Sequence, residues 1–323
     1  MKKKTYLITG GTGFIGSAII KKLIQKNVNI ICYDSNLRGN IKKLGNIVNK
    51  IKIIKADIRN LKKLTEVSKN VDCIVHLAFL NGTEYFYSKP DLVLDIGVKG
   101  MINIIEVCKI NKIKELILAS SSEVYQTPDH IPTSENVTLK IPDVFNPRYS
   151  YGAGKIISEV MAINNSKLFK RLLIFRPHNV YGPNMGFEHV IPQMILRMKK
   201  LIKGKKIIDF KIKGNGNETR SFNYIDDFVE GFLKILEKGK HLNIYNIGSQ
   251  EEVKIKTLAT LIAKNLKCKI NIKKTLLSKG STNRRCPNIL KLKKIGYKPK
   301  VALNEGIKPV IKWYTDNLNL KKT

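Results

Sequence analysis

Acidic residues are scarce in this chain: 25 Asp and Glu stand against 59 Lys and Arg in 323 residues, a formal net charge of +34. An excess of that size raises nucleic acid or an anionic surface as a partner. Arginine is scarce as well, nine residues against fifty lysines, and the lysines are scattered among Ile and Asn without forming a block. Aromatic residues make up 7%, with a single Trp. Nucleic-acid sites lean on Arg and on aromatic stacking, so no nucleic-acid partner is expected. The lysines read as a solvated surface that can steer anionic ligands. Cysteine is limited to Cys32, Cys73, Cys108, Cys268 and Cys286, odd in number and without a C-x-x-C pair. That excludes a disulfide framework and a zinc cluster, so no metal is expected and the setting reads as the reducing cytoplasm. No apolar run approaches the roughly 20 residues that span a bilayer, which excludes membrane insertion. The basic opening Met1-Lys2-Lys3-Lys4 precedes only a short apolar stretch and offers no small-residue cleavage site, so it leads into a first strand and not a secretion signal.

What is present is alternation. Apolar runs at 5–9, 29–33, 51–55, 73–77, 115–119 and 172–175 read as strands, and helical periodicity at 14–25, 61–68, 92–109 and 149–165 falls between them. Strand and helix in turn predict an α/β fold with a doubly wound parallel sheet. After Arg176-Pro177 the regularity gives way to a Gly-, Pro- and Asn-rich segment, which reads as a smaller second domain interleaved with the first.

Gly10-Gly11-Thr12-Gly13-Phe14-Ile15-Gly16 follows the first strand and opens a helix. In that context the first glycine permits the turn, Gly13 lets backbone approach a pyrophosphate, and Gly16 lets the helix pack on the sheet. Asp34 ends the next strand, where a carboxylate accepts hydrogen bonds from an adenosine ribose and repels a 2′-phosphate, favouring NAD over NADP. Arg38, four residues on, either softens that preference or lies in solvent. Asp57 ends the third strand and reads as a cofactor contact or as the cap of the next helix.

Tyr151 and Lys155 lie one turn apart at the start of a helix and project from one face. A phenol titrating near ~10 is a poor base until a neighbouring cation stabilises its phenolate. Ser120-Ser121-Ser122-Glu123-Val124-Tyr125 follows an apolar strand, which puts hydroxyls and a carboxylate at the carboxyl edge of the sheet, where such folds bind ligands.

With these segments in order, the chain resembles the extended short-chain dehydrogenases/reductases of the nucleotide-sugar epimerase/dehydratase family. Further matching segments are Ala56-Asp57-Ile58, His76-Leu77-Ala78, Arg176-Pro177-His178-Asn179-Val180-Tyr181-Gly182-Pro183, Thr219-Arg220-Ser221-Phe222 and Arg285-Cys286-Pro287-Asn288. The resemblance implies a Rossmann domain over 1–178 with a return segment near 218–247, and a smaller nucleotide-sugar-binding domain over 179–323. It implies NAD contacts at Gly10, Gly13, Phe14, Ile15, Gly16, Asp34, Asp57, Ile58, Leu77, Ala78, Tyr151 and Lys155. Tyr151 would remove a sugar hydroxyl proton, Lys155 would bind the nicotinamide ribose and lower the tyrosine's pKa, and Ser121 would hold the reacting oxygen. Ser122, Asn179, His189, Arg220 and Arg285 would bind the nucleotide-diphosphate sugar, His189 through a partly charged imidazole. Relatives pair the helices near 92–109 and 149–165 into a homodimer.

Departures narrow the reaction. Dehydratases carry an acidic Asp where this chain has Ser122, which disfavours a conventional 4,6-dehydratase. The Ser122-Glu123 pair resembles nucleotide-sugar decarboxylases, and Glu123 would also suit a proton shuttle in an epimerase. Gln126 stands where a Gly is usual, and Gly97 where an Asn is usual. The resulting expectation is an NAD-dependent nucleotide-sugar epimerase. A uronic acid decarboxylase, an unusual dehydratase and a 4-dehydrogenase are the alternatives within the class, and an NAD-sensing, RNA-associated module the alternative outside it.

Overall fold

Successive strand residues, not only alternate ones, are apolar and fully buried: Leu7 with Ile8, Ile74 with Val75, Leu116 with Ile117. Strands of this kind need cover on both faces, which a parallel sheet wound with helices provides. In the computed structural model, which describes residues 3–276, 280 and 282–318, they form one seven-stranded parallel sheet. Met1 and Lys2 of the basic opening lie outside the described residues.

The sheet is built from β1 (Thr5–Thr9), β2 (Asn29–Asp34), β3 (Lys52–Lys55), β4 (Cys73–His76), β5 (Glu115–Ala119) and β6 (Arg171–Pro177). After β7 (Val180–Tyr181), β8 (Ile207–Lys213), β9 (Thr219–Ser221) and β10 (Asn223–Tyr224), the chain returns as β11 (Asn243–Ile247), which pairs with β6. The order is β3-β2-β1-β4-β5-β6-β11, so the winding direction reverses between β1 and β4.

Helices α1 (Phe14–Leu23), α2 (Leu61–Val67), α3 (Thr83–Ser88), α4 (Pro90–Leu94), α5 (Gly100–Ile110), α6 (Ser150–Asn164), α7 (Val190–Ile202) and α8 (Ile225–Lys238) follow in chain order. On one face Ile8, Val75 and Ile117 meet Ile19 and Ile20 of α1 and Phe228 and Phe232 of α8. On the other, Leu7, Ile74 and Leu116 meet Leu64 of α2 and Ile104 of α5. A third core joins α7, β8, α9 (Ile255–Asn265) and a later helix, Leu303–Asp316, through Ile195, Phe210, Ile262 and Ile307.

The stretch expected as one helix over 92–109 is interrupted. Between α4 and α5 lies a π-helical turn, Asp95–Lys99. Its widened coil brings Gly97 so close to Phe79 that a Cβ at 97 would stand 2.0 Å from the ring. After β6, α8 packs on α1 and the sheet, and β11 pairs with β6.

Behind the carboxyl edge runs a buried polar network. Arg176 on β6 and Glu159 on α6, each 2% exposed, form a two-point pair through Nε at 2.8 Å and Nη2 at 2.6 Å. Arg176 also donates to the Tyr125 hydroxyl at 2.8 Å, and Tyr125 to Asn246 at 2.7 Å. Removing one member strands a charge in low dielectric. Arg176→Met is therefore expected to lower the unfolding free energy by about 3–5 kcal/mol in urea titration, with much of the loss recovered in Arg176→Met/Glu159→Leu. A loss below about 1 kcal/mol, the level of an exposed pair, would refute this account.

Candidate active site

A cavity of about 470 Å³ opens at the carboxyl edge where the strand order reverses. Gly10 turns the chain with φ +70°, and a Cβ there would stand 2.9 Å from the Ala78 nitrogen. At Gly16 a Cβ would stand 2.2 Å from the Gly10 carbonyl, so α1 rests directly on the loop. Gly13 differs: a Cβ there meets nothing nearer than the Gly10 oxygen at 3.2 Å, and Gly13 lines the cavity. The first turn of α1 carries no side-chain cap and no acidic residue, so its N–H groups are left for an anion. Phe14, Ile15, Ile58, Leu77 and Ala78 also line the cavity. The Thr9 hydroxyl, against His76 Nδ1 at 2.8 Å, accepts from Leu77 and Ala78 N–H at 3.2 Å and fixes the opposite wall. Burial pushes the His76 imidazole down to about 3.

Asp34 accepts from the Thr12 N–H at 3.0 Å and the Asn36 N–H at 2.8 Å. A carboxylate has further lone pairs, which leaves it able to take ribose hydroxyls. Asp57 lines the cavity, but its carboxylate is held by Arg59 at 2.6 and 2.9 Å, which lowers its pKa. The cap of α2 is Asn60, not Asp57. Arg38 is not in bulk solvent: it pairs with Glu188 at 3.0 Å and lies over the Tyr85 ring at 5.5 Å. These residues fit a dinucleotide, with an uncapped helix start and a side-chain-free glycine facing the space that a pyrophosphate would occupy.

At the other end of the cavity α6 presents Tyr151 and Lys155. Its two early glycines, Gly152 and Gly154, are poor helix formers; their value is close packing, since a Cβ would stand 2.5 Å from Gln126 Nε2 and 2.8 Å from the Phe79 ring respectively. Gln126 keeps a φ of +49°, the region that favours glycine, held by its side chain's bond to the Glu123 carbonyl. Burial pushes the Tyr151 phenol up, while a hydrogen bond with Ser121 pulls it back. Lys155, 2% exposed, donates to the Ala119 carbonyl at 2.6 Å. Burial lowers it to about 7, against the opposing field of Glu159.

Two residues assigned separate tasks from the sequence hold each other. Arg285 meets Glu123 at 2.5 and 3.4 Å. Burial of Glu123 is outweighed by Arg285, with Arg148 and Arg220 adding to the field, so its carboxyl lies below the ordinary range. Arg220 binds the carbonyls of Thr219 and Thr282, both at 2.7 Å. Burial, then Arg285 and Arg148, lower it to about 10. Ser122 is buried against the cavity, and Asn179 lines it while donating to the Ser221 carbonyl at 2.9 Å. His189 lies elsewhere along the cavity, under the influence of Arg38, Glu188 and Lys43. Burial first, then those cations, push it down to about 4, so it is neutral and not the partly charged imidazole expected. Phe79, Phe86, Glu188 and Arg148 were not read from the sequence; only Phe79 carried a signal, directly after His76-Leu77-Ala78.

Residues 6–248 match the sequence model of the NAD dependent epimerase/dehydratase family. The chain is 31% identical over 318 residues to a putative UDP-glucose 4-epimerase of Methanocaldococcus jannaschii, covering 96% of this chain and 98% of that protein. It is 28% identical to a UDP-N-acetyl-alpha-D-glucosaminuronate decarboxylase of Bacillus cytotoxicus, over 97% and 98% of the two chains. The fold superposes with a TM-score of 0.87 on a dTDP-glucose 4,6-dehydratase of Streptomyces venezuelae crystallised with NAD, at 24% identity and 98% coverage of both.

Gly13→Val fills the open position without touching the core. It is expected to weaken NAD binding at least tenfold by isothermal calorimetry, about 1.4 kcal/mol, with the unfolding midpoint little changed; undiminished binding would remove Gly13 from the cofactor cradle.

Proposed function

Because the chain belongs to the NAD dependent epimerase/dehydratase family, we propose that this NAD-dependent enzyme epimerises a nucleotide-diphosphate sugar through a transient keto-sugar. The cofactor would lie on 1–178 with the return segment 218–247, and the sugar nucleotide against 179–323. Held by these residues, NAD would supply the reversible hydride chemistry. The chain's own residues handle the protons: Tyr151 takes the hydroxyl proton, Ser121 holds the reacting oxygen, and Lys155 supplies the positive charge that makes the buried phenol a usable base.

The observation that carries this reading is the Glu123–Arg285 pair. A carboxylate kept ionised by a guanidinium cannot give a proton to a departing hydroxyl, and Ser122 offers no acid in its place. Dehydration therefore lacks its donor, whereas epimerisation by oxidation and re-reduction needs only Tyr151, Ser121 and Lys155. A second reading has its own support. Arg285, Arg220 and Arg148 act on the single carboxylate of Glu123, and this surplus of positive charge suits a substrate carboxylate, as a decarboxylase of a uronic acid would need.

A homodimer is part of the proposal. Ile102 and Ile110 on α5 and Ile157, Val160 and Ile163 on α6 expose 38–53% of their surface, and a second copy would cover them. The five cysteines are buried and free, in keeping with a cytoplasmic setting. Among the described residues no helix is long and apolar enough to cross a membrane.

Mass spectrometry and proton NMR of products from a panel of UDP-, GDP-, CDP- and dTDP-linked sugars and uronic acids test the reaction. An isomer of unchanged mass is the expected product; loss of carbon dioxide would establish the second reading, and loss of water would overturn both. Tyr151→Phe is expected to lower kcat by at least about a hundredfold while NAD stays bound, and undiminished turnover would remove the phenol from the base role. For assembly, Ile157→Lys/Val160→Lys should halve the mass seen by sedimentation equilibrium; a wild-type protein already monomeric would refute the dimer.

A further inference from the structure

Lys155 is a buried ammonium with three donors and one hydrogen bond, to the Ala119 carbonyl. The remaining charge is met by a ring. The Phe79 centroid lies 4.2 Å from Lys155 Nζ, well inside the ~6 Å reach of a cation–π contact. The same ring is perpendicular to that of Tyr151, with centroids 5.1 Å apart at 85°, and Phe86 stacks on Tyr151 at 5.0 Å and 14°. Aromatic pairs favour both arrangements.

The ring fits because two side chains are missing. A Cβ at Gly97 would stand 2.0 Å from the ring, and one at Gly154 2.8 Å from it. Gly154 precedes Lys155 on α6, and Gly97 is carried in by the π-helical turn Asp95–Lys99. Two elements thus leave a slot, and the residue after His76-Leu77-Ala78 fills it.

We propose that Phe79 is a positioning residue: its face holds the Lys155 ammonium, its perpendicular contact fixes the Tyr151 ring, and Gly97 and Gly154 form the slot that admits it. This rests on the reading that Tyr151 and Lys155 are the proton-transfer pair. The other titratable groups around Lys155 are Tyr151 and Glu159 on its own helix and His76 on β4; Glu159 is already paired with Arg176 of β6. Burial disfavours the charged lysine, and the negative face of the ring opposes that effect. Without the ring Lys155 loses its proton at lower pH and its grip on the phenolate weakens.

The test uses protein labelled with carbon-13 at the lysine ε-carbons, saturated with NAD, with the Lys155 signal assigned by its loss in Lys155→Met. In the wild type the signal should be displaced upfield by the ring. In Phe79→Leu most of that displacement should disappear, the Tyr151 ring at 5.8 Å being the remaining source, and the signal should titrate about half to one pH unit lower. Gly97→Ala leaves Phe79 in the sequence and closes the slot, so it should reproduce both changes, and it keeps the test decisive should the leucine variant fail to fold. With whichever sugar nucleotide the product panel identifies, both variants should lower kcat about tenfold with KM within twofold and move the alkaline limb of the pH profile, where Lys155 loses its proton, to lower pH in step with its titration. A wild-type signal without ring displacement, or an unchanged titration in Phe79→Leu, would overturn the proposal. The NMR readout needs no turnover, so failure of the epimerase reading and failure of this one are distinguishable.

Discussion

The reversal of winding between β1 and β4 is the constraint on which the rest of the structure depends. Strands laid outward from β1 carry Asp34 and Asp57, and strands laid the other way carry Ser121 and Arg176. Because every strand is parallel, all of these emerge at one edge, and only where the order reverses do neighbouring loops part to leave a cleft. The Thr9 hydroxyl, on β1, gathers His76, Leu77 and Ala78 from the other side of that fork. Gly10 can turn under it because nothing occupies its Cβ position.

Within the cleft, charge is managed by burial and pairing. The Arg176–Glu159 pair sits one turn behind Lys155 on the same helix face, where it adds a compensated charge to a region that would tolerate no free one. Lys155 has a carbonyl and the Phe79 and Tyr151 rings for partners; Glu123 has Arg285. The consequence for chemistry differs between the two. A lysine lowered by burial is poised to respond to its surroundings at neutral pH, whereas Glu123 is fixed in the ionised state. The lysine end thus responds to protonation near neutral pH, and the Glu123 end holds a fixed charge.

How much of this was readable follows from the range over which each signal acts. The glycine loop, Asp34 and the Tyr151/Lys155 pair are local patterns tied to one strand–turn–helix unit, and the structure carries them on the elements expected. The interruption of the 92–109 helix was hidden because a single five-residue π-turn is too short to stand out from the helical periodicity on either side. His189 was read by its neighbours in the chain, yet its charge is set first by burial and then by Arg38 and Lys43, which are remote in sequence. The Glu123–Arg285 contact spans 162 residues, and no local pattern announces a pair of that separation.

By itself the sequence determined the alternation of strands and helices through β6, the glycine loop and the candidate side chains beside it, since periodicity, glycine placement and residue chemistry act within a few residues of one another. Tertiary structure alone decided their states: which carboxylate is paired, which imidazole is neutral, what lies over the lysine. Those depend on desolvation and on distances of a few ångströms between elements far apart in the chain, and such distances exist only once the two faces of the sheet are covered.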